Sequence, residues 1–201
     1  MKAKTLKSRP PSSYAEARGW ILGVALLAML APAGGAAAAN QIIGGGGMAK
    51  DCSDAVVRGR SDDGAMRLCT LALDDEALRG DDRASTLVNR GVIQLRREAY
   101  PEARADFDAA GRIAPKLGEV YVNRGAAYLG EDRFADGLRE IDQGLALGVK
   151  QPGRAYYNRA LANESLGDVK AAYRDFQRAA QLDPNWSAPK EELARFSFES
   201  R

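Results

Sequence analysis

Small residues recur at a fixed interval along the second half of the chain. Glycine or alanine stands at Gly91, Gly125 and Ala160, so that 34 and then 35 residues separate one copy from the next. The dipeptide Asn-Arg precedes each of these residues. A period of this length is typical of stacked supersecondary units, none of which can bury its apolar face alone. The pattern therefore predicts a repeat protein.

Within each unit the pattern predicts two antiparallel helices. When the units are numbered from Ala84, Gly118 and Gly153, small residues occupy positions 8, 20 and 27, and apolar residues occupy positions 17 and 24. In chain order the apolar residues are Tyr100, Phe107, Phe134, Ile141, Val169 and Phe176. Small residues allow the two helices to approach closely, and the large groups fill the space between units. Pro115 and Pro184, both at position 32, begin the next connection because proline cannot continue a helix.

Six positions agree in register across the three copies, and together they closely resemble the tetratricopeptide repeat family. Three units then cover residues 84–117, 118–152 and 153–186. The resemblance implies an all-α fold, namely a right-handed α-solenoid of antiparallel helix pairs. Turns inside the pairs are expected near residues 98–101, 131–133 and 167–168.

One position departs from that family. Position 7 is usually leucine there, whereas this chain has arginine three times: Arg90, Arg124 and Arg159. Stacked at one per unit, the arginines would form a basic ladder open to a partner. The alternative, which we favour, is that each pairs with a nearby acid such as Asp106, Asp142 or Asp175.

The repeats are expected to carry an atypical unit at each end. Residues 48–83 fit a degenerate first unit with a short helix and then a second helix that starts at Asp62-Asp63-Gly64. That second helix places Ala65, Leu68, Cys69 and Ala72 on one face. Residues 187–201 are expected to form a capping helix and a tail, with Ser187 as the N-cap. Leu193, Phe196 and Trp186 would cover the last unit.

Residues 1–39 have the pattern of a secretory signal peptide. Basic residues run up to Arg18, an apolar stretch covers residues 20–30, and Ala37-Ala38-Ala39 precedes Asn40. The alternative is an uncleaved membrane anchor. Residues 40–47 are glycine-rich and predict a flexible lead-in. We therefore expect an exported, periplasmic protein that meets a membrane only if the leader stays attached.

The two cysteines of the chain, Cys52 and Cys69, fall in the degenerate unit. In an exported protein such a pair indicates a disulfide, with two buried free thiols as the alternative. Two thiols are too few for a metal site, and the chain has no histidine to complete one. We expect no metal and no cofactor.

The family resemblance implies that peptides bind a concave groove lined by the first helix of each pair. The corresponding residues here are Val88, Val92, Leu95, Arg96, Val122, Ala126, Leu129, Arg154, Tyr157 and Leu161. Some family members clamp a C-terminal carboxylate with lysine and asparagine at positions 5 and 9, which this chain does not match. An apolar stripe is equally a sign of internal packing, and we favour partner binding.

Charge and motifs narrow the function further. Residues 1–39 hold five basic residues and one acidic residue, which leaves 24 basic and 26 acidic residues in the remainder. That body has no basic excess for nucleic acid. No catalytic motif is found, and a hydrolase is a minor third hypothesis. The sequence predicts a non-catalytic module that binds a protein or peptide partner, with a membrane-tethered structural subunit of an envelope assembly as the alternative.

Overall fold

The structure is a computed structural model that describes residues 4–9 and 47–200. Nine helices and one two-stranded sheet make up these residues. In chain order the elements are β1 (Lys4–Ser8), α1 (Met48–Val57), α2 (Asp63–Asp75), α3 (Gly80–Arg96), α4 (Tyr100–Ile113), α5 (Gly118–Gly130), α6 (Phe134–Leu147), α7 (Pro152–Ser165), α8 (Val169–Leu182), α9 (Ala188–Leu193) and β2 (Phe196–Ser200). The predicted all-α architecture of stacked helix pairs is confirmed, since α3 packs on α4, α5 on α6 and α7 on α8.

Close approach inside each pair depends on the small residue at position 8. A Cβ atom added at Gly91 would lie 2.5 Å from the Phe107 ring, and one added at Gly125 would lie 2.6 Å from Ile141 Cγ1. Both large side chains are fully buried. The residue at position 24 therefore fills the space that a side chain at position 8 would need.

In the middle unit two further glycines are filled from the opposite helix. An added Cβ at Gly137 would lie 2.0 Å from Leu129 Cδ1, and one at Gly144 would lie 2.6 Å from Val122 Cγ2. Large residues on α5 thus compensate for small ones on α6, and the core stays packed across the pair.

The turn inside each pair uses a left-handed residue at position 15. The φ angles are 59° at Glu98, 60° at Asp132 and 87° at Gly167. Only the third turn has glycine, the residue that adopts this conformation without steric cost. The first two turns hold non-glycine residues in a sparsely populated backbone region.

The atypical first unit is formed by α1 and α2. Cys52 and Cys69 face each other with their sulfur atoms 2.08 Å apart, and both residues are fully buried. Helix α2 begins where the sequence predicted, and Asp62 caps it by accepting a hydrogen bond from the Ala65 N–H at 3.1 Å. Glu76 reaches back to the start of α1, where its carboxylate accepts the N–H groups of Met48 and Ala49.

The C-terminal end contains the predicted capping helix, but a strand replaces the predicted tail. Helix α9 ends at Leu193, and residues 196–200 form β2, which pairs antiparallel with β1. The Ser187 side chain makes no capping hydrogen bond. Trp186, Leu193 and Phe196 do pack on the last unit as expected. The strand was missed because its partner lies almost the whole length of the chain away.

The described part of the chain contains no helix that could cross a membrane. None of the helices between residues 47 and 200 is both long enough and apolar enough to span a bilayer. The apolar stretch 20–30, the cleavage site before Asn40 and the lead-in up to residue 46 lie outside the described residues.

Candidate functional site

The repeated arginines pair with acids at position 23 of their own units. Arg90 makes a two-pronged contact with Asp106, in which Nε and Nη2 donate to the two carboxylate oxygens at 2.8 Å each. Arg159 makes the same contact with Asp175 at 2.8 Å. These hydrogen bonds raise the pKa of both arginines, so the guanidinium groups stay charged.

Two of the arginines also reach the unit before their own. Arg124 contacts Glu140 in its own unit and Asp108 in the preceding unit, at 2.7 Å each. Arg159 contacts Asp142 of the preceding unit at 2.9 Å. The ion-pair interpretation is confirmed, and the arginines act as links between stacked units.

The structure corrects the predicted lining of the groove. The eight apolar residues of that prediction are all buried: Val88, Val92, Leu95, Val122, Ala126, Leu129, Tyr157 and Leu161. Val122 and Leu129, at positions 5 and 12, face Gly144 and Gly137 of the second helix in the same unit. They form part of the core, because positions 5 and 12 lie on the same side of the helix as position 8.

Tyr157 shows the same inward orientation in the last unit. Its ring contacts Phe176 at a centroid distance of 5.4 Å and Trp186 at 4.8 Å. Its hydroxyl group donates to Glu192 Oε1 at 3.4 Å. Burial, together with the nearby Glu192 carboxylate, raises the pKa of Tyr157. The Tyr157 side chain is therefore part of the buried core at the C-terminal end of the repeats.

One face of each first helix remains as the candidate site, and we call it the inner face. It includes five residues of the predicted groove: Val92, Arg96, Ala126, Arg154 and Leu161. It consists of positions 2, 6, 9 and 13, which share one side of a helix. Its members are Ser85, Asn89, Val92 and Arg96 on α3; Glu119, Asn123, Ala126 and Gly130 on α5; and Arg154, Asn158, Leu161 and Ser165 on α7. Five of the twelve are at least partly exposed: Ser85, Asn89, Arg96, Arg154 and Ser165.

Two amides on the inner face have no hydrogen-bond partner. Asn123 and Asn158 are fully buried, yet neither the nitrogen nor the oxygen of either side-chain amide is paired among the described residues. Leaving a buried polar group unpaired costs about 1–3 kcal/mol. A retained cost of this size suits groups that are satisfied by something bound.

Two arginines lie on the inner face on either side of α5. Arg96 ends α3 and donates to the carbonyl oxygens of Arg60 at 3.2 Å and Val56 at 3.1 Å. Arg154 lies over the Trp186 ring at 4.7 Å. Burial is the main cause of a lowered pKa in both arginines.

Charges near the two arginines act on their pKa values. The positive charge of Arg154 contributes to the lowered pKa of Arg96, although the residues belong to helices two units apart. Asp183 partly offsets the effect of burial at Arg154. The inner face also holds the buried carboxylate of Glu119 on α5, which accepts a hydrogen bond from the Lys150 N–H at 3.1 Å.

The described residues show no metal site at this face. Across residues 4–9 and 47–200, no cluster of three or more histidine, cysteine, aspartate or glutamate side chains is placed to hold a metal ion. The inner face presents two guanidinium groups, the buried Glu119 carboxylate and two unpaired amides among apolar side chains.

Comparison with known proteins agrees with this architecture. Residues 153–185 match the tetratricopeptide repeat family. The chain is 29% identical over 126 residues to the chloroplastic tetratricopeptide repeat domain-containing protein PYG7 of Arabidopsis thaliana. That alignment covers 60% of this chain and 41% of PYG7, so the chain spans less than half of that relative.

Solved structures show the same fold. The first tetratricopeptide domain of Spaghetti (RPAP3), bound to the HSP90 peptide SRMEEVD, is 24% identical with a TM-score of 0.53, and the match covers 58% of this chain and 91% of that one. MamA from Desulfovibrio magneticus RS-1 is 20% identical with a TM-score of 0.56 over 73% of this chain and 79% of its own. The described chain thus has the fold of a tetratricopeptide repeat solenoid, and its third unit matches that family in sequence.

Proposed function

We propose that this chain is a non-catalytic binding module that holds an extended, acidic segment of a partner protein against the inner face. The carrying observation is the pair Arg96 and Arg154. Both guanidinium groups are partly desolvated, and the positive charge of Arg154 helps to lower the pKa of Arg96. Carboxylates of a bound segment would pair with the two arginines at the ends of the site.

The buried amides supply the middle of the site. Asn123 lies on α5, between the helices that carry the two arginines, and Asn158 is one helical turn after Arg154. A side-chain amide offers both donors and an acceptor, which matches the alternating groups of a peptide backbone. Because both side chains are buried without ligand, binding requires the first helices to move slightly apart.

Known structures of this fold support the choice of ligand class. The related domain of Spaghetti (RPAP3) was solved with the peptide SRMEEVD, which carries three acidic residues. Val88 and Val92 occupy positions 5 and 9 here, so the carboxylate clamp of some family members is not reproduced. In this chain the positive charge comes from Arg96 at position 13 of the first unit and from Arg154 at position 2 of the third unit.

The proposed location is the periplasm. Its support is the leader-like pattern of residues 1–39 and the paired cysteines in the first unit. Disulfides persist in oxidising compartments, so a structural cysteine pair suits an exported protein.

A titration followed by NMR tests the proposed site. The probes are the peptide SRMEEVD and its amide analogue SRMQQVN, in which glutamine and asparagine replace the three acidic residues. We expect the acidic peptide to shift the resonances of Arg96, Asn123, Asn158 and Arg154, and the amide analogue to leave them unchanged. Equal effects from both peptides, or shifts confined to the second helices, would contradict the proposal.

The variants for this titration must leave the core intact. A charged substitution at a residue of the predicted groove, such as Val122→Glu, is unsuitable because Val122 packs against Gly144 inside its unit. Arg96→Gln and Arg154→Gln change partly exposed residues and should abolish the response to the acidic peptide. Arg112→Gln, on the exposed side of α4, is the matched control and should retain it.

A further inference from the structure

The C-terminal strand is occupied by a segment from the leader. Strand β2 pairs antiparallel with β1, in a register that aligns Lys7 with Ser197 and Ser8 with Phe196. Just past β1, the Arg9 N–H donates to the Arg195 carbonyl oxygen at 3.1 Å. Residues 4–9, which we call the basic arm, therefore dock on the far end of the solenoid.

Tertiary contacts hold this small sheet in place. Two strands alone are marginally stable in water, so packing must supply the remainder. Strand β1 lies against α8. At the start of β2, the Phe196 ring contacts Tyr173 at 5.4 Å and Phe176 at 5.9 Å.

Arg195 fastens the arm to the last repeat unit. Its Nη1 donates to the Arg9 carbonyl oxygen at 2.5 Å and to Glu164 Oε1 at 3.1 Å. Its Nε donates to Glu192 at 2.7 Å. One guanidinium thus joins the arm, α7 and α9.

We propose that the basic arm is an intramolecular ligand of the C-terminal strand, and that removal of the leader vacates this strand. In the folded chain, with the leader attached and not inserted in a membrane, residues 4–9 satisfy the edge of β2. After cleavage before Asn40, β2 becomes an unpaired edge with free N–H and C=O groups, which is a template for another extended segment. Leader removal would then convert a closed C-terminal edge into an open one.

The docked arm also restricts how the chain can meet a membrane. The arm and β2 must lie on the same side of any bilayer while they are paired. A single crossing by the apolar stretch would put them on opposite sides. Two crossings need about 40 residues, and only residues 10–46 separate the arm from Gly47. The docked arm and an uncleaved single-span anchor are therefore mutually exclusive states.

Hydrogen exchange on the full chain tests the docking. In an antiparallel ladder, hydrogen-bonded and non-hydrogen-bonded residue pairs alternate. Arg9 and Arg195 are a hydrogen-bonded pair, so Lys7 and Ser197 form the next hydrogen-bonded pair. The Ser8 N–H between them points away from β2. Lys7→Pro removes a ladder hydrogen bond, whereas Ser8→Pro removes only an outward N–H. The Ser197 amide should exchange about tenfold faster in Lys7→Pro and at the parent rate in Ser8→Pro.

A second measurement tests whether leader removal vacates the strand. A protease site is placed after Ala39, the folded chain is cut, and the released segment is washed away. We expect Ser197 to lose its protection while the amides of α5 keep theirs. An unchanged Ser197 rate after removal, an unprotected Ser197 in the parent chain, or equal losses in both proline variants would each overturn the proposal.

Discussion

Arg124 donates from Nη1 to Asp108 Oδ1 at 2.7 Å, across the boundary between the first and second repeat units. The same guanidinium contacts Glu140 in its own unit through Nε and Nη2. Arg159 repeats this arrangement one unit later with Asp175 and Asp142. An arginine at position 7 thus joins two helices of one unit and the neighbouring unit, which a leucine at that position cannot do.

Replacing Arg124 should destabilise the stack. Arg124→Met keeps most of the aliphatic stem and removes the charge, so Glu140 loses its partner at a site that is largely shielded from solvent. We expect the free energy of unfolding to fall by about 1–3 kcal/mol in urea denaturation. Asp108→Asn, at the more exposed partner, should cost less than about 1 kcal/mol. Equal small effects from both changes would show that the link is not structural.

The fit between Gly91 and Phe107 predicts a non-additive pair of substitutions. Gly91→Ala improves helix propensity by about 1 kcal/mol but places a methyl group against a buried ring. Overpacking should win and lower stability by about 1–3 kcal/mol. In a Phe107→Leu background the same change should cost less, and a double-mutant cycle measures the coupling. If the effects of the two substitutions were additive, we would conclude that α3 and α4 move apart to accommodate the added methyl group.

How far the sequence determined this structure depends on the range of each interaction. The repeat period, the helix pairs and the arginine–acid contacts all follow from patterns within a single unit or its neighbour. The sequence prediction named only some of the inner-face residues, because α5 is buried on nearly every side and shows no single apolar stripe. Positions 5 and 6 are adjacent in sequence yet face the core and the inner face, respectively. The sheet was missed because β1 and β2 come from opposite ends of the chain.

Backbone strain at Glu98 predicts a stabilising substitution. A φ angle of 59° destabilises a non-glycine residue in the folded state by about 1–2 kcal/mol. Glycine removes that strain, but it increases the conformational entropy of the unfolded chain, which lowers stability by about 0.4–1 kcal/mol. Glu98→Gly should therefore raise stability by about 0.5–1 kcal/mol in thermal unfolding. Gly167→Ala, at the same position of the third unit, should lower it by about 1 kcal/mol. A loss of stability in Glu98→Gly would indicate that the glutamate side chain makes a compensating contact.

Reduction of the cysteine pair should weaken the first unit. The link between Cys52 and Cys69 spans 17 residues, for which the chain-entropy account gives about 3 kcal/mol. We expect a reducing agent to lower the melting temperature of the parent chain and to leave that of the double variant Cys52→Ala, Cys69→Ala unchanged. Two free thiols in a titration of the untreated chain, with the same melting temperature before and after reduction, would rule out the link.

Binding of acidic segments at the inner face is tested by a selection from a library of random short peptides on the parent chain and its variants. If the inner face binds acidic segments through Arg96 and Arg154, the parent and the control Arg112→Gln should both enrich peptides rich in aspartate and glutamate. The double variant Arg96→Gln, Arg154→Gln should lose that enrichment while keeping the parent's circular dichroism spectrum. Peptides with no excess of acidic residues, or the same enrichment in all three chains, would contradict the account.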